Sequence, residues 1–338
     1  MGRLANYGAR LALVLASVGI GVTVPVVAQQ VASQLPAARE VTVASIPDVV
    51  RAGAAWTVAW QGTDNADGLT AATDGALLFA QEQPNRISRL DASDRFSVFL
   101  EDTHGAGSLA LDAQGRVLAV LRTCTDPGGR PAQCTEPTAI SVLSPGRRTL
   151  ADSFEGKPLG RLNDLVVART GSIYFTVGGA FHLAPDGRVS SLGDNIRANG
   201  IMLSPDERTL YVTNGGTVLA FDVGPGGATT NRRDFATLSA GTSGDGMAVD
   251  AAGRLYVTSQ AGVQVFSPVG APLGLIPTPR NAISVAFAGP GKQTLYVVGS
   301  GAKGPDGQEF VTPPGVRNNA KTIYRLPMLA TGYTGRAK

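Results

Sequence analysis

Short apolar runs, punctuated by Asp, Gly and Pro, recur along most of the chain. The pattern is clearest from Arg161 to Thr176, RLNDLVVARTGSIYFT: a polar cluster, an apolar run, a Gly turn and a second apolar run. The same layout returns as ANGIMLSPDERTLYVTN from Ala198 and as GDGMAVDAAGRLYVTS from Gly244. Runs this short, separated by residues that accept positive φ, predict β-hairpins. Few stretches carry the 3.6-residue period of a long amphipathic helix.

Six units align on this pattern. Their first strands are DGLTAA from Asp67, GSLALD from Gly107, NDLVVA from Asn163, NGIMLS from Asn199, DGMAVD from Asp245 and AISVAF from Ala282. Second strands follow as ALLFA, RVLAV, SIYFT, TLYVT, RLYVT and TLYVV, and third strands as RISRLD, AISVLS, GAFHLA, TVLAFD, GVQVFS and TIYRLP. Successive units start 40, 56, 36, 46 and 37 residues apart. A period near 40 with three or four strands per unit predicts propeller blades. The expectation is an all-β, six-bladed β-propeller spanning residues 41–330, with a β-sandwich as the alternative architecture. The sixth unit runs out of chain after Leu326, so Thr57–Gln61 is expected to supply its outer strand and close the ring.

In such a ring each first strand begins near the axis. Asp67, Asn163 with Asp164, Asn199 and Asp245 then converge on one central divalent-metal site. The carboxylates Asp67 and Asp245 and the carboxamides Asn163 and Asn199 form an all-oxygen set suited to a hard cation: Ca²⁺ first, with Mg²⁺, Mn²⁺ or Zn²⁺ as alternatives. The competing reading is that these Asn and Asp side chains satisfy local backbone groups. Asp64 and Asn65 stand close enough in sequence to replace Asp67. Arg161, two residues before Asn163, either reaches the cavity to hold a substrate, stays on the surface or pairs with Asp164. His104, just before the second unit's first strand, is a candidate for the cavity mouth, whereas His182 falls on a third strand and reads as structural.

Composition narrows the classes. An apolar fraction of 43% supports a sizeable core despite 43 Gly and 21 Pro. Residues 1–28 carry Arg3 and Arg10, an apolar stretch from Leu11 to Val24, and Val26-Val27-Ala28 before Gln29, the pattern of a cleaved secretory leader. Residues 29–40 then read as a flexible lead-in and residues 331–338 as a C-terminal tail. Removal of the leader takes two of 29 basic residues and none of 26 acidic ones, leaving a net charge of +1. Neither a nucleic-acid partner nor a membrane partner after leader removal is supported, and a secreted or periplasmic location is expected. Cys124 and Cys134, separated by nine residues, are expected to form a local disulfide there. GSGAKG from Gly299 matches a dinucleotide fingerprint, but Pro305 follows where a helix is required. The chain has no GxSxG elbow for a serine hydrolase.

At RLND, ANGIMLSPDERTLYVTN and GDGMAVDAAGRLYV the chain resembles the gluconolactonase/regucalcin (senescence marker protein) family of six-bladed propellers, over about Val41 to Leu329. The resemblance implies one divalent metal held by a Glu, two Asn and an Asp. It places the Asn and Asp ligands at Asn163, Asn199 and Asp245, and a substrate-contacting Arg at Arg161. The family's Glu falls at Asp67, one methylene shorter, with room for a bridging water. The implied activity is metal-dependent hydrolysis of a sugar-type lactone by activated water, with Asp245 as base or as ligand only. Relatives open other lactones or organophosphates. The alternative from another class is a non-catalytic periplasmic propeller that binds a ligand or partner around a structural metal.

Overall fold

The structure is a computed structural model that describes residues 33–122, 137–239, 241–313, 316 and 319–335. The expected leader and the Cys124–Cys134 pair lie outside the described residues.

Six four-stranded antiparallel sheets form the blades of the propeller. Their inner strands are Asp67–Ala71, Ala106–Leu111, Leu165–Val167, Ile201–Leu203, Met247–Val249 and Ala282–Ala288. In blades 1 to 5 the chain meanders outward through four consecutive strands. Blade 6 takes three from the C-terminal part, Ala282–Ala288, Thr294–Ser300 and Lys321–Pro327, and its outer strand from Thr57–Gly62. Thr57 lies opposite Arg325 and Gly62 opposite Lys321, with a bulge between Val58 and Trp60. The first propeller strand thus closes the ring on the last, as expected from the missing outer strand of the sixth unit.

The second strands explain the unbroken apolar runs. Leu77–Gln81, Val117–Leu121 and Leu255–Ser259 are buried at every residue, because each packs between two neighbouring blades. Outer strands such as Phe96–Glu101 meet water and lose that character. The core is correspondingly divided into interblade layers. One joins blades 3, 4 and 5 through Tyr174, Ile201, Tyr211 and Val257. Another seats Val43, Ile46, Val49 and Val50, ahead of the first blade, against blades 5 and 6.

Residues 33–40, expected to be a flexible lead-in, carry specific contacts. Ser33–Gln34 pairs with Val311–Thr312, and Arg39 donates to the carbonyls of Thr278 and Gln260. In the tail, Lys292 Nζ donates to the Tyr333 carbonyl.

Candidate active site

Each inner strand starts where its blade is closest to the axis, and two sequence choices let the blades meet there. One is a Gly directly after the polar residue. A Cβ at Gly68 would overlap Ser108 of blade 2, and one at Gly200 would overlap the Asp245 carbonyl of blade 5. The dipeptides Asp67-Gly68, Asn199-Gly200 and Asp245-Gly246 therefore pair a channel-facing oxygen with the absence of a side chain where backbones touch.

The other choice is Asp164, which occupies the corresponding place in blade 3. It accepts from Ser108 Oγ at 2.6 Å and from the backbone amides of Leu165 at 2.9 Å and Ile201 at 3.2 Å. One carboxylate thus ties blades 2, 3 and 4 together, and Ser284 Oγ accepts from Leu69 N between blades 6 and 1.

Asp67, Asn163, Asn199 and Asp245 do converge. With Ser108, Asp164, Arg122 and blade 6 residues Ile283 and Ser284, they line a cavity of about 10 Å³. That is room for roughly one water-sized or ion-sized occupant. Of Asp64, Asn65 and Asp67, only Asp67 belongs to this lining. Asn65 instead exchanges backbone and side-chain hydrogen bonds with Gln81 and Gln83. His104 sits in a left-handed turn, φ 53°, ahead of the blade 2 inner strand and outside the cavity lining. His182 is buried on a blade 3 strand, stacked on Tyr174 at 5.0 Å.

The channel also holds two residues that the first-strand alignment does not reach. Arg122, 1% exposed, follows the second strand of blade 2. Its Nη1 donates to Asp67 Oδ2 at 2.7 Å, its Nη2 to Asn163 Oδ1 at 2.9 Å and to the Asn163 carbonyl at 2.8 Å, and its Nε to the Leu162 carbonyl at 2.9 Å. Glu82, buried after the second strand of blade 1, lies 3.5 Å from Arg122 Nη1 and 3.3 Å from Arg161 Nη1. Arg161 is 41% exposed and ion-pairs with Glu82. Both missed residues had a legible signal. In an antiparallel blade, the residue just past the second strand lies beside the start of the first, as the Arg122 N–H to Gly105 carbonyl bond shows.

Electrostatics separate these groups. Burial, then the charges of Asp67 and Asp164, push the Asp245 carboxyl well above the usual carboxylate range, while Arg122 and a hydrogen bond with Asn199 partly oppose the shift. For Arg122 burial acts against the charge, but Asp67 and Glu82 more than offset it and hold the guanidinium ionised. Asn163 Nδ2 donates to Asn199 Oδ1 at 2.6 Å, so a directed chain of hydrogen bonds runs from Arg122 through both carboxamides toward Asp245.

Among the described residues no group of three or more His, Cys, Asp and Glu side chains gathers into a metal cluster. A cation here would depend on the carboxamides. Asp67, Asn163, Asn199 and Asp245 nevertheless fit a hard divalent ion in donor type, in number and in the size of the space they enclose.

The family profile described as the SMP-30/Gluconolactonase/LRE-like region matches residues 65–301. A gluconolactonase of Zymomonas mobilis is 31% identical over 192 residues, which cover 48% of this chain and 54% of that protein. A pentonolactonase of Haloferax volcanii is 29% identical over 187 residues, covering 51% and 64%. The chain thus spans between half and two thirds of the length of these relatives. A solved gluconolactonase from Xanthomonas campestris superposes with a TM-score of 0.67 at 24% identity, covering 88% of this chain and 97% of that one. A calcium-binding regucalcin from Agrobacterium tumefaciens gives 0.63 at 18% identity, covering 82% and 95%. These two likenesses speak to the fold.

Proposed function

The chain belongs to the SMP-30/gluconolactonase/LRE-like family, and from that premise we propose that it is a lactone hydrolase acting on a sugar-type lactone. The observation that carries this reading is the convergence of Asp67, Asn163, Asn199 and Asp245 on one small cavity at the axis. The identities of the Zymomonas and Haloferax relatives support the same chemistry. Asp67, Asn163, Asn199 and Asp245 would hold a divalent cation, with Ca²⁺ the first candidate, and such an ion, when bound, supplies Lewis acidity toward the ester carbonyl and toward water.

The chain's own residues perform the remaining work. Asp245, a carboxylate facing the cavity, takes the proton from the attacking water. Water oxygen adds to the lactone carbonyl carbon, the bond to the ring oxygen breaks, and that oxygen leaves with a proton as the hydroxyl of a hydroxy acid. Arg161, oriented by Glu82, hydrogen-bonds the ring hydroxyls of the incoming sugar. Asp164 holds the inner strands in register.

The deciding experiment is a lactone panel followed by acid release, with and without chelator, beside an Asp245→Asn control. Hydrolysis of a hydroxylated lactone well above the control is expected, with loss on chelation. No hydrolysis of any lactone above the control would leave the non-catalytic binding propeller standing. A secreted or periplasmic location is part of the proposal, motivated by the leader pattern of residues 1–28; an N-terminus near Gln29 in mass spectra of secreted or periplasmic protein would support it.

A further inference from the structure

Arg122 is more than a neighbour of the ligand set. Its guanidinium engages Asp67 Oδ2 and Asn163 Oδ1, an oxygen from each of two of the four residues proposed to face the cation. Each of those contacts is a charge-assisted hydrogen bond at normal length; two further nitrogen contacts go to backbone carbonyls, and Nη1 also lies 3.5 Å from Glu82. A guanidinium carries a permanent positive charge in a rigid fork, so it cannot retreat by losing a proton.

The fold makes a dedicated passage for it. Gly107, on the inner strand of blade 2, lies where any Cβ would overlap Nε of Arg122. This glycine has no positive φ to explain it; its missing side chain is the space that the Arg122 stem crosses. Asp67 and the long cation from the adjoining blade meet at 2.7 Å.

We propose that Arg122 is a resident cation of the channel. It competes with the divalent ion for Asp67 and Asn163, keeps the ligand set assembled when no ion is bound, and weakens the site's affinity for that ion. The inference rests on the reading that these four residues bind a metal. It adds that metal entry requires the guanidinium to give up oxygens it holds. A fixed positive charge within contact distance of the same carboxylate also repels the incoming ion.

The test reads cation binding, not turnover. Full-length wild type, Arg122→Met, Arg122→Lys and Gly107→Ala are titrated with Ca²⁺ and with Mn²⁺ by calorimetry, after circular dichroism has confirmed the β fold. Arg122→Met should bind about tenfold more tightly or better, and the added ion should raise its Tm more than that of wild type. Gly107→Ala, which keeps every ligand but obstructs the arginine, should shift affinity in the same direction. Arg122→Lys should fall between. Equal or weaker binding by Arg122→Met, or no divalent binding by either protein, overturns the inference.

Loss of a buried charge partner can also unfold the methionine variant. The wild type then decides alone, through the ¹⁵N resonance of Arg122 Nε, assigned by its absence in Arg122→Lys. Saturating Ca²⁺ should move that signal; Ca²⁺ binding that leaves it unchanged overturns the inference. A protein that opens no lactone yet shows the Arg122→Met gain in affinity would lose its proposed function and keep this mechanism. One that opens lactones without that gain would do the reverse.

Discussion

The aspartates at the two ends of the inner strands lead different lives. At the hairpin end, Asp112 and Asp250 each accept two backbone amides of their own turn and the Nε of the arginine four residues on, at 2.6 Å in both cases. Asp91 repeats the arrangement in the turn before the outer strand of blade 1. These carboxylates act as turn templates, and every lone pair that matters is filled by the segment that supplies it. At the channel end, Asp67 and Asp245 are surrounded by groups from other blades, and Asp245 lies among carboxylates that raise its proton affinity. Local satisfaction yields stability, and its withdrawal yields a group with chemistry to offer.

Exchanging the two kinds of aspartate in their consequences would break that comparison, and the largest effect is expected at Asp245. Asp245→Asn should lower lactone turnover by about two to four orders of magnitude, the range for losing a positioned general base. Its Tm without added metal should be unchanged or higher, since the substitution removes a carboxylate packed beside two others. Wild-type turnover in this variant would end the catalytic assignment.

Asp250→Ala should do the opposite. Asp250 is fully buried and holds Arg254 and the Tyr256 hydroxyl. Its loss should cost about 3 kcal/mol in chemical denaturation, as for other broken buried pairs, with turnover per folded molecule retained. Equal loss of turnover in the folded fraction would show that the turn end is coupled to the site.

A smaller effect belongs to pH. Ser204, then the backbone amide of Arg208, hold the Asp206 carboxyl below its ordinary value against opposing burial. Its unfolded state therefore binds more protons as acid is added, and the stability it contributes is present above the unfolded pKa and lost as pH falls through the folded one. Tm measured below about pH 4 should fall less steeply in Asp206→Asn than in wild type; identical slopes would contradict the assignment. The mildest change is expected from Arg161→Ala. Its half-exposed side chain should leave Tm and cation affinity in place and reduce turnover of hydroxylated lactones about tenfold, with plain lactones less affected. An equal reduction for both kinds of lactone would remove its role in reading hydroxyls.

Much of this was legible because propeller strands have short, repeated signatures. Second strands buried on both faces read as apolar runs, and a final unit one strand short pointed back to Thr57–Gln61. The channel oxygens were legible for a related reason: they sit at the start of the inner strand or two residues before it, three of them next to a Gly that close packing demands. Arg122 and Glu82 escaped the first-strand alignment because their signal lies just past the second strands and their contacts join residues 40 to 55 positions apart. The same limit hid what Asp164 does, since its partners come from three blades. Periodicity locates a strand; it does not say which side chain from the next blade will cross to meet it.

The closure of blade 6 also has a consequence in time. Thr57 and Arg325, bonded at 3.1 Å, are separated by 268 residues. Until the final strand exists, the first has no sheet to join, and pairings over such distances are slow to form. Blade 6 also contributes Ile283 and Ser284 to the channel wall. A chain released early or clipped near its end would therefore lack more than one strand. Its sixth blade would stand incomplete beside an open-sided channel, so the channel should close only once Lys321–Pro327 has been made.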